Sequence, residues 1–222
     1  MLLFEPVNGY QVRRELLSWG VEDWGHINPG SIYSGFATLT KQGHLGRDDL
    51  REGSRTVAVC TSTPKGRLEF DRLVGEALES VDLTAPLAFH TALSLLPLVK
   101  RPVYADHLRA RLKRHAELTD VEPPSELAQQ MAPPHLPWIF DLWQRYAALD
   151  REWVESLLAE IDSGGLVFAG EPSDWLPPPD DPGWQMQDDR QRYRDALGLD
   201  SPAGAHSTCD ACSMLNTSRV HS

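Results

Sequence analysis

The chain has few cysteines, no long apolar run and no excess of positive charge. Its three cysteines are Cys60, far from the others, and the pair Cys209 and Cys212, which do not form a disulfide framework and favour a reducing compartment. No apolar run approaches the roughly 20 residues that cross a bilayer. The N-terminus lacks the basic and apolar regions of a secretory signal. We therefore expect a cytoplasmic protein with no membrane partner.

The usual motifs of catalysis and phosphate binding are also missing. The sequence contains no glycine-rich phosphate loop, no Gly-x-Ser-x-Gly and no His-Glu-x-x-His. Cys209 and Cys212 have the spacing of half a zinc site, with His206 and His221 nearby, but the flanking tail does not offer the apolar residues needed to build a domain around a metal. We expect no enzymatic activity, no cofactor and no metal.

The negative charge is concentrated in one part of the sequence. The net charge is −11, yet residues 1–70 contain eight basic and eight acidic side chains and are neutral. The remaining residues supply the whole excess of acid. A neutral first third permits contact with nucleic acid but lacks the strongly basic footprint that would predict it.

The segment from Asn28 to Gly43 has the features of an amphipathic helix. Asn28 can cap the helix, Pro29 suits the first turn, and Gly43 can end it in a left-handed conformation. The pattern predicts a buried stripe of Ile32, Phe36 and Leu39. The small polar and basic residues left on the surface suit an approach to a phosphate backbone, although an ordinary solvated helix face has the same pattern.

The neighbouring segments place this helix in a recognisable order. Glu5 to Gly9 reads as a turn, and Tyr10 to Trp19 as a short amphipathic helix. After Gly43 the apolar residues alternate, which predicts two strands around the polar hairpin tip from Asp48 to Arg55. Helix, turn, helix and hairpin is the order of a winged helix-turn-helix domain.

Helices broken by prolines follow. The longest runs from Pro137 to about Asp162 and has a stripe rich in tryptophan, including Trp138, Trp143 and Trp153. An apolar face of this length usually marks an interface, so we expect a homodimer. The tryptophans fit core or dimer contacts, or the walls of a cavity for flat apolar ligands. From about Glu171 the sequence is rich in Pro and Asp, which predicts disorder.

Several short motifs resemble, in order and spacing, PadR-family transcriptional regulators. They are Asn8-Gly9-Tyr10-Gln11-Val12-Arg13-Arg14-Glu15-Leu16-Leu17, Pro29-Gly30-Ser31-Ile32-Tyr33, Leu39 with Gly43-His44-Leu45, and Thr63-Pro64-Lys65-Gly66. The segment 85–170 resembles the longer C-terminal helical domain of one branch of that family. The resemblance implies a mainly α fold with a small β-hairpin wing. Its parts would be a winged helix-turn-helix domain over residues 1–66 and a helical dimerisation and effector domain over 67–170. The composition of residues 171–222 separately predicts an extended or disordered tail.

The resemblance also implies that the protein is a homodimeric repressor. Such a repressor binds a double-stranded DNA operator and is released from it by a small aromatic or hydrophobic effector. The DNA-binding residues would be Arg13, Asn28, Ser31, Tyr33, Ser34, Thr38, Lys41, Arg51 and Arg55. The effector or dimer helix would carry Trp138, Trp143 and Trp153.

Two features depart from the family pattern. Only Met1 to Phe4 remain of the family's first helix, so we expect the natural start to lie upstream, and Asp48, Asp49 and Glu52 lie beside the wing arginines. The incomplete first helix and the neutral charge of residues 1–70 motivate an alternative function, in which the winged-helix half has lost DNA binding and serves as a protein-interaction module in a helical dimer.

Overall fold

The computed structural model describes residues 5–119 and 133–199, except for 174, 175, 177, 180 and 182. Met1 to Phe4 and the Cys209–Cys212 motif, with His206 and His221, lie outside the described residues. The elements in chain order are β1 (Val7–Asn8), α1 (Gly9–Ser18), α2 (Val21–Trp24), α3 (Pro29–Lys41), β2 (Leu45–Glu52), β3 (Arg55–Ser62), α4 (Pro64–Glu79), α5 (Leu87–Ser94), a 3₁₀ turn (Leu96–Leu98), α6 (Arg101–Thr119), α7 (Leu136–Ser163) and α8 (Gly183–Leu197). A mainly helical fold with a hairpin is thus confirmed.

The chain divides into two compact units. The N-terminal unit contains the described residues within 1–22, 27–62 and 175–222, and the helical unit contains those within 23–26 and 63–174. In the part of the chain that the structure describes, no helix is long and apolar enough to cross a membrane. Within that same part, no group of three or more His, Cys, Asp or Glu side chains is placed to hold a metal ion.

The helices begin where the sequence predicts. Asn8 and Gln11 form a reciprocal capping box at the start of α1, and the Asn28 side chain accepts a hydrogen bond from the Gly30 backbone N–H at the start of α3. Thr63 caps α4 in the same way through the Gly66 N–H. Each cap satisfies a backbone donor that has no partner inside the helix.

The sheet of the N-terminal unit has three antiparallel strands in the order β1-β3-β2. The hairpin is longer than predicted, because β2 and β3 pair as far as Glu52 and Arg55 and leave a two-residue turn at Gly53-Ser54. The turn predicted at Glu5–Gly9 is wrong in part: Val7 and Asn8 form β1 and pair with β3. Val7 is fully buried, and this apolar contact with the sheet outweighs the local preference of Asn8 for a turn.

The prediction that residues 171–222 are disordered does not hold for Gly183–Leu197, which form α8. Met186 of α8 is buried in a cluster with Val7, Val12 and Ile32. Polar contacts surround this cluster: Gln11 Nε2 donates to Asp189 at 2.6 Å, and Asn8 Nδ2 donates to the Tyr193 hydroxyl at 3.0 Å. The α8 helix therefore belongs to the core of the N-terminal unit, although it lies more than 120 residues after β3 in the sequence.

The helical unit is built around α4, α5, α6 and α7. Its buried core includes Val74, Leu78, Phe89, Ala92, Tyr104, Leu108, Val154, Leu158, Ile161 and Phe168. Gly75 permits a close approach of α4 to α6, because a Cβ there would lie 2.7 Å from His107 Cε1. The α7 helix ends at Gly164, whose φ is +83°. A glycine in the left-handed conformation is a common end of a helix.

A buried charged network connects α6, α7 and α5. Arg111 is 1% exposed, and its Nε and Nη2 each donate to Asp150 at 2.9 Å. The His115 Nε2–H donates to the same carboxylate, and Arg111 Nη1 donates to the Ser80 carbonyl. The guanidinium also lies 3.7 Å from the centre of the Phe89 ring. The positive charge of Arg111 is therefore compensated inside the fold and is not part of a basic surface.

Candidate nucleic-acid interface

The α3 helix presents a polar face to solvent. Ser31, Ser34, Thr38 and Lys41 are all exposed and recur at spacings of three, four and three residues, which puts them on one side of the helix. Ile32, on the opposite side, is buried in the core of the N-terminal unit. The prediction that Leu39 is buried is wrong, because its side chain is 40% exposed. Ile32 and the partly buried Phe36 are the α3 side chains in the apolar cluster of the N-terminal unit.

The two serines of this face bond to the helix itself. Ser31 Oγ donates to the Asn28 carbonyl at 2.6 Å, and Ser34 Oγ donates to the Ser31 carbonyl at 2.9 Å. Each hydroxyl would have to exchange this bond for one to a phosphate oxygen or a base edge. The Oδ1 of Asn28 accepts from Gly30 N at 2.8 Å, so the first role of this side chain is to cap α3.

Tyr33 lies apart from the serine face. Its ring carbons lie 3.3 Å from the position that a Cβ on Gly9 would take, so the ring packs on the start of α1. It lines a groove of about 770 Å³ together with Tyr10, Phe36 and Ala37. Tyr33 is 47% exposed and shares this groove with Lys41, whereas Ser31 and Ser34 are not part of its lining.

The hairpin carries both signs of charge. Arg51 and Arg55 are exposed near its tip. In the backbone register of the two strands, Arg55 lies opposite Glu52, and Arg51 lies opposite Thr56. Its three arginines are matched by Asp48, Asp49 and Glu52, so the hairpin is neutral as a whole. Arg47 Nη2 contacts Asp49 Oδ1 at 3.0 Å, which ties up one arginine. Arg51 and Arg55 have no ion pair within 4.0 Å among the described residues.

In the N-terminal unit, four cations have no ion pair within 4.0 Å among the described residues, and we call them the basic set. They are Arg13 on α1, Lys41 at the end of α3, and Arg51 and Arg55 on the hairpin. Arg13 is half-buried and the other three are exposed. These four side chains can contact phosphates, and the three acidic side chains of the hairpin oppose them.

In the helical unit, the α7 helix has one buried and one exposed apolar side. Val154, Leu158 and Ile161 are buried, whereas Trp138 is 77% exposed and Trp143 and Trp153 are 44% exposed. With 28 residues, the helix is about 42 Å long at 1.5 Å per residue. The three tryptophans are therefore not core residues of this chain, and their stripe is a large apolar surface of the single chain.

Sequence reasoning did not identify the buried role of Arg111. A signal was present, because Tyr104, Leu108, Arg111 and His115 recur at spacings of four, three and four and are all buried. An arginine inside an otherwise apolar stripe indicates a buried ion pair, and a carboxylate on a neighbouring helix is its expected partner.

No family model matches the chain, and no curated protein matches it. Among solved structures, Bacillus subtilis PadR in complex with operator DNA is similar over 72% of this chain and 95% of that chain, with 20% sequence identity and a TM-score of 0.30.

Proposed function

We propose that this protein is a DNA-binding transcriptional regulator and acts as a homodimer. The observation that supports DNA binding is the exposed face of Ser31, Ser34, Thr38 and Lys41 on α3, within a helix-turn-helix and hairpin arrangement. In such domains the second helix of the motif enters the major groove and the hairpin contacts the flanking backbone. Ser31 and Ser34 would contact DNA edges or phosphates, and the basic set would supply the salt-dependent part of the affinity.

The exposed stripe on α7 supports the homodimer. Trp138, Trp143 and Trp153 leave a tryptophan-rich surface open on the single chain, and a second copy offers the same surface in a two-fold arrangement. A dimer would place two α3 helices on one DNA, with half-sites about 34 Å apart. A repressor would respond to a small aromatic effector through a shift of the two α3 helices from this spacing.

Selection of bound sequences from a random pool of duplex DNA tests the proposal. We expect an enriched motif with two related half-sites, and a specific gel-shift band with the selected DNA. The Lys41→Ala variant should weaken this band, whereas Lys113→Ala on α6, which removes the same charge from the helical unit, should not. If no motif is enriched and no specific band forms, the chain is better explained as an interaction module that does not bind DNA.

The homodimer is tested by the mass of the protein in solution. We expect twice the mass of 24.8 kDa by light scattering. Trp138→Glu should weaken the dimer, because it puts a charge into an apolar interface. Leu68→Glu, at a residue that is 71% exposed on α4, is the matched control and should leave the dimer intact. A monomer in the unsubstituted protein, or equal effects of both variants, would contradict this part of the proposal.

A further inference from the structure

The α8 helix reaches the first turn of α1 through the two side chains that also cap that helix. Asn8 Nδ2 donates to the Tyr193 hydroxyl at 3.0 Å, while Asn8 Oδ1 accepts from the Gln11 backbone N–H. Gln11 Nε2 donates to Asp189 Oδ2 at 2.6 Å, while Gln11 Oε1 accepts from the Asn8 backbone N–H. Each amide therefore uses its oxygen for the cap and its nitrogen for α8. Docking of α8 fixes both side chains in the orientation that the cap requires.

The same docking places an arginine of α8 at a defined position. The other oxygen of Asp189, Oδ1, accepts from Arg192 Nη2. This hydrogen bond raises the pKa of the Arg192 guanidinium above its ordinary value. One carboxylate thus connects Gln11 of α1 to Arg192 of α8. The Arg192 side chain is 63% exposed, but its guanidinium is held on one side by this bond.

The next neighbour of this guanidinium is an acidic residue near the tip of the hairpin. Arg192 Nη1 lies 4.0 Å from Oε1 of Glu52, the last residue of β2. Tyr193, the following residue of α8, lies near the same carboxylate. Burial raises the pKa of its hydroxyl, the bond with Asn8 lowers it, and the Glu52 carboxylate raises it further. Two successive residues of α8 therefore lie beside Glu52.

Glu52 has two arginines with which it can pair. In the backbone register it lies opposite Arg55, and opposite charges at such positions of antiparallel strands attract each other. Arg55 nevertheless has no ion pair within 4.0 Å among the described residues, whereas Glu52 contacts Arg192. The α8 arginine therefore replaces Arg55 as the partner of this carboxylate and leaves the Arg55 side chain exposed.

A carboxylate beside a phosphate-binding arginine opposes DNA binding in two ways. It competes for the arginine, and it repels the phosphate that the arginine would contact. A second arginine on the carboxylate reduces both effects, because it engages the carboxylate oxygens and cancels their charge locally.

We propose that Arg192 of α8 is a positioning residue for DNA binding, which holds Glu52 away from Arg55 and so leaves Arg55 available to a phosphate. Arg192 acts through Glu52 and does not itself contact DNA. This role rests on the proposed function, because the phosphate is that of the bound duplex. It makes α8 a part of the DNA-binding apparatus, although α8 lies more than 120 residues after the hairpin in the sequence.

The salt dependence of DNA affinity tests this role in variants of the full chain. Arg192→Gln should make the slope of log affinity against log salt shallower by about 2, because Arg55 loses one phosphate in each protomer of a dimer. Arg192→Lys should keep the slope, since it keeps a positive charge beside Glu52. Arg145→Gln is the matched control, because it removes an exposed arginine that pairs with Asp141 at 2.8 Å in the helical unit. The control should not change the slope, and an unchanged slope in Arg192→Gln would overturn the proposal.

A second substitution separates positioning from direct contact with DNA. Glu52→Gln removes the carboxylate that Arg192 holds. The double variant Arg192→Gln with Glu52→Gln should therefore have the same slope as Glu52→Gln alone. If Arg192 itself contacts a phosphate, the double variant keeps the shallower slope, and the proposal is overturned.

Hydrogen exchange of the α1 amides shows whether α8 stays docked in these variants. We expect the same protection in Arg192→Gln as in the unsubstituted protein, since Met186 and Tyr193 still hold α8 in place. If protection falls together with the slope, Arg192 acts by holding the fold, and its role toward Glu52 is refuted. Absence of specific DNA binding in the unsubstituted protein refutes the proposed function, whereas DNA binding that Arg192→Gln leaves unchanged refutes only the role of Arg192.

Discussion

The contribution of α8 to the N-terminal unit gives a sharp prediction for Met186→Ala. Met186 is 5% exposed and packs with Val7, Val12 and Ile32. Removal of a buried methionine side chain costs about 2–5 kcal/mol, since transfer and cavity terms add. This cluster has four buried members and partly exposed neighbours that can collapse into the space, so we expect about 2 kcal/mol.

Urea unfolding, followed by circular dichroism and by hydrogen exchange of the α1 amides, measures this loss. Leu199→Ala is the control, because Leu199 is 42% exposed and its truncation should cost less than about 0.5 kcal/mol. Deletion of residues 183–222 should expose the apolar side of Val7 and Val12 and lower protection of α1 further. If Met186→Ala lowers the free energy of unfolding no more than the control does, α8 does not stabilise this core, and the reasoning from its contacts is refuted.

Three further predictions concern the helical unit. Asp150→Ala should lower the free energy of unfolding by about 3–5 kcal/mol, because it leaves Arg111 buried without its carboxylate partner. The double variant Arg111→Met with Asp150→Leu should lower it much less. Urea unfolding measures both changes. Burial raises the pKa of Asp150, but hydrogen bonds from Arg111 and His115 outweigh burial and hold it below its ordinary value of 3.8. The pair therefore contributes stability above about pH 4, and this contribution is lost as the pH falls through the pKa that Asp150 has in the folded protein. Unfolding curves over a series of pH values should show this loss in the unsubstituted protein but not in the double variant. Tyr104→Phe should raise the melting temperature, since the buried hydroxyl has no hydrogen-bond partner among the described residues. Removal of this hydroxyl should stabilise the protein by about 1 kcal/mol. A lower melting temperature would show that the hydroxyl is hydrogen-bonded in solution.

Local chemistry predicted the parts of the fold that depend on neighbours in sequence. The cap at Asn28 and the stop at Gly43 were predicted correctly, because each needs only a few adjacent residues. The hairpin was also predicted, since alternation is a short-range pattern. Its longer extent was not, because Asp48 to Arg51 pair through backbone bonds that do not depend on apolar side chains.

Contacts between distant segments were not predictable in the same way. The α8 segment is polar, and only Met186 and Tyr193 are buried, so the sequence around them has no strong apolar period. Val7 and Asn8 form a strand only because β3 lies beside them. Such pairings depend on residues far away in the chain, and composition alone favours a tail or a turn.

The candidate interface was predicted in part. The exposed positions of Ser31, Ser34, Thr38 and Lys41 follow from the helical period, and they lie on one face as expected. The helical period puts Tyr33 on another side of α3 from Ser31. Its packing at Gly9 is a contact that no sequence period reveals.

The salt dependence of DNA affinity tests the central claim most directly. If the four members of the basic set each contact one phosphate, a dimer has eight such contacts, and log affinity should fall against log salt with a slope of about −7 at roughly 0.9 per phosphate. Lys41→Ala should make this slope shallower by about 2, because two contacts are lost per dimer, while Lys113→Ala should leave it unchanged. Fluorescence anisotropy with the selected DNA, at salt concentrations from about 50 to about 300 mM, measures the slope for the unsubstituted protein and for each of the two variants. A steep slope that Lys41→Ala alone reduces is the result we predict, and an affinity that is flat with salt, or equally reduced by both variants, would contradict DNA binding through α3.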